Sequence, residues 1–175
     1  LAYLSALIAI LATLPYILDV VKGNTRPNLV TWGTWSLLNL ITAIAAFADG
    51  SWQAAVFASA IGSCTVIVAI LSLSKGVKKY TAFDVVCQVL ALLAIVAWQV
   101  TSDPSWAIVF TIAGSFIASL PTVRHAWFKP KEETWQYFAV DAFAAFLSIL
   151  SVSNVTFSSA GFPIYILVND LLILS

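Results

Sequence analysis

The sequence contains no methionine, two cysteines and one histidine among its 175 residues, and only 9% of its side chains are charged. A soluble domain carries roughly 25% charged residues. Basic and acidic residues number eight each, so there is no basic excess to attract the phosphates of a nucleic acid. Cys64 and Cys87 lie in apolar runs and form no CxxC metal motif or disulfide framework. These deficits argue against a soluble enzyme, a nucleic-acid-binding protein and a disordered chain.

Methionine is also missing at residue 1, which is Leu. Because a reading frame begins with Met, we expect this chain to be a membrane domain that has lost its original start. The last residues, Leu174 and Ser175, lie in an apolar run. A signal peptide or a charged tail would therefore lie outside the sequence.

Apolar residues make up 61% of the chain, and its mean hydropathy is +0.98. A helix that crosses the hydrocarbon layer needs about 20 mostly apolar residues, and the runs lack the short alternation of barrel strands. We predict an all-α integral membrane bundle, a single membrane domain over residues 1–175. Its seven transmembrane helices are predicted at residues 1–21, 28–48, 51–74, 80–101, 105–127, 134–152 and 155–175.

The basic residues predict the orientation of these helices. All eight fall in or beside alternate loops, namely Lys22, Arg26, Lys75, Lys78, Lys79, Arg124, Lys129 and Lys131. Positive charge stays on the cytoplasmic side, so we predict an outer N-terminus and an inner C-terminus. Trp127 and Trp135 flank one basic loop, as residues of an interfacial belt do. We expect the carboxylate of Asp19 to pair with Lys22 at this interface.

An internal repeat is visible when the two halves are aligned. Residues 12–15 (ATLP) match residues 118–121 (ASLP), and each stretch leads into a basic loop. At this register Trp35 falls on Asp141. We predict two parallel three-helix repeats, residues 1–74 and 104–175, joined by a linker helix within residues 75–103. Parallel repeats with a site at their interface are one transporter plan.

Two short motifs carry a family resemblance. Leu14-Pro15-Tyr16-Ile17 and Leu120-Pro121-Thr122-Val123, with this 3+1+3 plan, resemble the PQ-loop superfamily. That group includes SWEET sugar transporters, lysosomal cystine and cationic amino-acid exporters, and KDEL receptors. The Gln of the Pro-Gln pair is replaced by Tyr16 in one half and by Thr122 in the other.

The resemblance implies transport of a small polar metabolite by alternating access between the repeats, with Pro15 and Pro121 as hinges. The metabolite would be a sugar, an amino acid or a vitamin-like compound. The stretch Trp32-Gly33-Thr34-Trp35 also resembles the Trp pair of nicotinamide riboside transporters, which share the seven-helix plan.

Polar residues inside the predicted helices are the candidate substrate contacts. Ionisable and amide groups at membrane depth face a cavity or a partner, and residues three or four apart share a helix face. The tryptophans could instead be belt or packing residues, and the acids could be neutral structural groups. In SWEET-like proteins, an Asn of the third helix of each repeat contacts substrate. The candidates are Trp32, Trp35, Asn39, Asp141, Asn169 and Asp170.

Several activities lack the residues they require. Helix 7 has no Lys for a retinal Schiff base, and the single His lies beside Arg124 at an interface. No Ser–His pair or metal-ligand set is available within the helices. We therefore expect no enzyme activity, no cofactor and no metal. The expected partners are the lipid bilayer of a bacterial inner membrane, a small-molecule substrate and, in an oligomer, further copies. The alternative is a structural or receptor-like subunit of a larger membrane assembly.

Overall fold

The computed structural model describes residues 1–77, 80–100 and 104–175. The side chains of residues 94, 95, 97–100, 104, 105 and 107 are not described. Lys78 and Lys79, on which part of the predicted charge pattern depends, lie outside the described residues.

Seven α-helices and one short 3₁₀ turn make up the described chain, as the sequence predicts for an all-α bundle. The helices begin and end within two residues of the predicted limits. They are α1 (Ala2–Lys22), α2 (Leu29–Ala48), α3 (Trp52–Lys75), α4 (Ala82–Val100), α5 (Pro104–Phe128), α6 (Trp135–Ser151) and α7 (Phe157–Leu174), and the 3₁₀ turn is Pro130–Glu132.

Local signals fix where these helices begin and end. Gly23 ends α1 in the left-handed conformation, with φ at 81°, and its N–H caps the carbonyl of Val20. The Asn28 side chain starts α2 by accepting a hydrogen bond from the N–H of Val30 at 3.0 Å. Thr156 and Ser159 form a reciprocal capping box at the start of α7.

Five of the described helices, α1, α2, α3, α5 and α7, are long and apolar enough to cross a membrane. Helix α6, with 17 residues, and the described apolar part of α4, Ala82–Leu93, are shorter. Helix α6 ends at Ser151, one residue before the predicted limit, where the chain turns toward α7.

The helices bury small residues and expose large ones. In α1, Ala9 is 1% exposed, whereas Leu7 and Leu14 are 52% and 50% exposed. Water would disfavour such an apolar outer surface, but lipid solvates it, and small inward residues let helices approach closely. This distribution is typical of a membrane bundle.

Packing between the helices follows an interleaved order. Helix α3 packs on both α1 and α2, and α7 packs on both α5 and α6. Across the centre, α1 packs on α6 and α2 packs on α5, while α4 lies against α5 and α2. The cavity described below lies at this central junction.

The loops that follow α1, α3 and α5 meet at one end of the molecule, which we call the basic end. The N–H of Val77 donates to the carbonyl of Pro27 at 3.0 Å, and the Thr25 and Thr134 hydroxyls lie 2.7 Å apart. The loop after α1 thus contacts both of the others.

Gly76 is the residue that allows the loop after α3 to reach Pro27. A Cβ at Gly76 would lie 2.5 Å from the Ser72 carbonyl oxygen and 2.6 Å from that of Pro27, whereas a Cβ at Gly33 meets nothing within 4 Å. We expect Gly76→Ala to lower the free energy of unfolding in detergent by about 1–3 kcal/mol. Gly33→Ala, the matched control, should leave it unchanged or raise it by about 0.5–1 kcal/mol. Equal destabilisation by both would contradict the contact with Pro27.

Candidate functional site

A polar cavity lies at the centre of the bundle, among α2, α3, α6 and α7. Its volume is about 20 Å³, enough for roughly one water molecule. It is lined by Trp35, Asn39, Ile61, Thr65, Tyr137, Phe138, Asp141, Tyr165, Ile166, Asn169 and Asp170. Two consecutive helices from each half of the chain therefore build one site.

Five of the six candidate residues predicted from the sequence line this cavity. Trp35 and Asn39 lie one turn apart on α2, and Asn169 and Asp170 are adjacent on α7. Asp141 of α6 completes the set. The structure thus brings these five together, while their contact with a substrate stays a prediction.

Trp32, the sixth candidate, packs beside the cavity instead of lining it. Its ring centroid lies 4.8 Å from that of Tyr16, 5.3 Å from that of Trp35 and 5.7 Å from that of Tyr137. Trp32 is only 1% exposed. It is therefore a core residue and not part of a belt at the membrane surface.

The cavity wall holds two carboxyl groups side by side. The Asp141 carboxyl lies beside that of Asp170 and beside the hydroxyl of Tyr137. Asp170 Oδ1 accepts a hydrogen bond from Asn169 Nδ2 at 3.2 Å. Asp141 and Asp170 are 2% and 3% exposed, so neither charge can be stabilised by bulk water.

Four side-chain oxygens of the cavity wall are buried without a hydrogen-bond donor among the described residues. A buried acceptor without a donor costs free energy, and native structures contain few of them. Four such atoms around one small cavity therefore mark an unusual environment. They are Asn39 Oδ1, Asp141 Oδ1, Asn169 Oδ1 and Asp170 Oδ2.

The Trp35 indole is held by the opposite half of the molecule. Its Nε1 donates to the carbonyl oxygen of Ser115 on α5 at 3.1 Å. Because this donor is engaged, Trp35 can offer a ligand in the cavity only its ring.

A cluster of buried aromatic rings lies on the side of the cavity that faces the basic end, where α2 and α6 begin. It consists of Tyr16, Trp32, Tyr137 and Phe138, and we call it the aromatic partition. Tyr16 and Phe138 are both 0% exposed. The sequence motif identifies Tyr16 only as a departure from the Pro-Gln pair, so its packing is a new observation.

A second cavity, of about 380 Å³, lies beyond the aromatic partition at the basic end. Phe138 lines both cavities. Trp127 and Trp135, predicted as belt residues, line this second cavity, and Trp127 Nε1 donates to the carbonyl of Leu172 at 2.8 Å. The two cavities thus share one wall residue.

A polar contact ties the two halves together at the basic end. The buried Thr134 hydroxyl donates to Asp19 Oδ2 at 3.0 Å and lies 2.7 Å from the buried Thr25 hydroxyl. We call these three residues the latch.

The predicted ion pair between Asp19 and Lys22 is wrong, because the described residues contain no ion pair of Asp19. Instead, Asn24 Nδ2 donates to the second carboxylate oxygen of Asp19 at 3.3 Å.

The two predicted hinge prolines lie inside α1 and α5, as expected, but in different surroundings. Pro15 is exposed, whereas Pro121 is buried. Helix α4 packs on α5, while the outer face of α1 is exposed. Their role as hinges stays a prediction.

Sequence reasoning missed several residues of the site. Tyr137 lies one turn before Asp141 on the same face of α6, and this spacing is a signal that could have identified it. Tyr165 lies one turn before Asn169 on α7, so the same spacing could have identified it. Thr65 carries no comparable signal, because only the packing of α3 brings it to the cavity. Ser63, matched with Asn169 by the repeat, is exposed, whereas Cys64 is buried.

Comparison with protein-family models, with curated proteins and with solved structures gives no match.

Glu133 lines the second cavity, and its Oε2 is buried without a hydrogen-bond donor among the described residues. Burial, together with the negative charge of Glu132, raises the pKa of Glu133 to about 8. The ordinary value of an unfolded Glu is about 4.3. The folded state therefore holds this proton more tightly, and the resulting stability is lost as the pH rises through about 8.

We expect the melting temperature of the protein in detergent to fall between pH 6 and pH 9. Glu133→Gln, which keeps the group neutral, should remove most of that fall and be more stable than the unsubstituted protein at pH 9. Asp49→Asn, which removes an exposed carboxylate at the opposite end, is the control and should retain the fall. A Glu133→Gln curve parallel to that of the unsubstituted protein would contradict the raised pKa.

Proposed function

We propose that the chain is a transporter of PQ-loop type that moves a small polar metabolite across a bacterial inner membrane by alternating access. All seven helices would cross the membrane, with the N-terminus outside and the basic end in the cytoplasm. The observation that carries the proposal is the central polar cavity between the two halves. Such a site inside an apolar bundle has no evident structural use, because buried polar groups are costly.

The packing order supports two equivalent three-helix units. Exchanging α1, α2 and α3 with α5, α6 and α7 converts the α1–α6 contact into the α5–α2 contact, and both occur. The same exchange relates Trp35 to Asp141, and both line the cavity. It also relates Trp32 to Phe138, and both belong to the aromatic partition.

The cavity as it stands is too small for a metabolite and is closed toward the basic end. The aromatic partition and the latch lie on that side. A substrate would enter only when the two triplets move apart, as alternating access requires. Pro15 and Pro121 are the proposed hinges, since each interrupts the hydrogen bonds of its helix.

Uptake into proteoliposomes tests the proposal directly. Labelled sugars, amino acids and nicotinamide riboside would be screened with and without a pH gradient. We expect Asn169→Ala to lower kcat/KM for the transported compound about 10- to 100-fold, as the loss of a buried polar contact does. Ser63→Ala, at the matched but exposed position of α3, should stay within about twofold. Full uptake by Asn169→Ala would contradict the assignment of the site.

A reversible lock on the latch tests alternating access. The Thr25 and Thr134 hydroxyl oxygens are 2.7 Å apart, so cysteines there can bridge after small adjustments. We expect Thr25→Cys/Thr134→Cys, with Cys64 and Cys87 changed to Ser, to lose uptake on oxidation and to regain it with reductant. The single Thr25→Cys variant should be insensitive to oxidation. Normal uptake by the cross-linked protein would exclude movement at this end.

The alternative function is that of a structural or receptor-like subunit. The small volume of the central cavity favours it, because an interior filled by side chains needs no substrate. In that case no compound would be taken up by the folded protein, and the apolar outer surface would bind a membrane partner that co-purifies with it.

A further inference from the structure

The ionisable carboxyl groups of the central cavity have no basic counterpart in its described wall. Two carboxyl groups, of Asp141 and Asp170, lie in its wall, and none of the described residues that line it is basic. Two adjacent carboxylates away from water repel each other and are poorly solvated. A positively charged ligand would relieve both costs.

Among the described residues of the cavity wall, the fully buried atoms without a hydrogen-bond partner are all acceptor oxygens. The oxygens without donors come from both carboxyls and from the amides of Asn39 and Asn169. Three wall donors are already engaged: Asn169 Nδ2 by Asp170, Trp35 Nε1 by Ser115, and the Thr65 hydroxyl by Gly62. A ligand that satisfies these four oxygens must donate hydrogen bonds or coordinate oxygen, and the Tyr137 hydroxyl beside the Asp141 carboxyl is a further donor of the wall.

The size of the cavity limits which hydrogen-bond donor or cation can fit. A volume of about 20 Å³ accommodates a group the size of one water molecule. A protonated amino group has about this size and carries three hydrogen-bond donors. An alkali-metal ion is also small enough, and carboxylate and amide oxygens can coordinate it. Aromatic side chains, Trp35, Tyr137 and Tyr165, complete the lining and are favourable neighbours of a cation.

We propose that the central cavity is a binding site for a small monovalent cation, held by the carboxyls of Asp141 and Asp170 and the amide oxygens of Asn39 and Asn169. The cation is either the protonated amino group of the solute or an alkali-metal ion that accompanies it. This inference adds a class of ligand to the proposed function. It rests on that function for the existence of a transported solute, but cation binding can be measured without transport.

Equilibrium binding to the full chain in detergent tests the site. Melting temperature and calorimetry would be followed with NaCl, KCl and methylammonium chloride, at constant ionic strength and pH 7.5. Tetramethylammonium chloride, which is bulkier and donates no hydrogen bond, is the control salt. We expect saturable stabilisation by methylammonium, by an alkali-metal ion, or by both, and none by tetramethylammonium. Methylammonium alone would assign the site to an amino group, and an alkali-metal ion alone would assign it to a coupling ion.

Two variants at the site and one elsewhere decide whether the binding belongs to this cavity. Asp170→Asn removes one charge, and Asn39→Leu removes an oxygen while keeping both carboxyls. Each should weaken cation binding at least about tenfold. If Asp170→Asn does not fold, Asn39→Leu alone tests the site. Asp49→Asn, at an exposed position, should bind as the unsubstituted protein does.

Failure of binding by folded protein would overturn the inference, as would binding that both cavity variants retain. The first result would mean that Asp141 and Asp170 share a proton and take no cation. Neither result would contradict the proposed function. Saturable uptake of a neutral sugar that is lost in Asn169→Ala would still establish transport.

Discussion

Lipid forms no hydrogen bonds, and this constraint decides where the polar side chains of the helices lie. Hydroxyl groups can be satisfied by their own helix: Ser63 is exposed, yet it donates to the carbonyl of Ser59 at 2.8 Å, and Thr42 donates to that of Leu38 at 2.9 Å. Carboxyl and amide groups have more atoms to satisfy than one helix carbonyl can serve. Those within the membrane-depth parts of α2, α6 and α7 therefore collect at the centre, where other helices are within reach, namely Asn39, Asp141, Asn169 and Asp170.

The same constraint explains why much of the fold and part of the site can be predicted from the sequence. Long apolar runs bounded by Gly, Pro and charged residues locate all seven helices to within two residues. Acids and amides within such runs must turn inward, so the amino-acid sequence alone is enough to single out Asn39, Asp141, Asn169 and Asp170.

Contacts between distant segments are what the sequence does not reveal. Asp19 has a nearby Lys22, but the Thr134 hydroxyl, brought close by the packing of α1 on α6, takes its carboxylate. From the sequence, Trp32 is expected to contact a solute or lie in the interfacial belt. In the structure, the rings of Tyr16 and Tyr137 pack against it. Pro15 and Pro121 are equivalent in sequence and differ in exposure, since Pro15 lies on the exposed outer face of α1, whereas α5 is packed against α2, α4 and α7.

The bond from the Trp35 indole to the Ser115 carbonyl crosses the boundary between the halves. Any separation of α2 from α5 breaks it and releases one donor and one acceptor beside the cavity. The wall rich in unpaired oxygens would then gain an N–H, so the opened site would recognise a different set of chemical groups from the closed one. A solute carrying an acceptor for that N–H would hold the halves apart, whereas a solute without one would let them close. The two states would thus differ in selectivity as well as in access, with a single tryptophan as the element that distinguishes them.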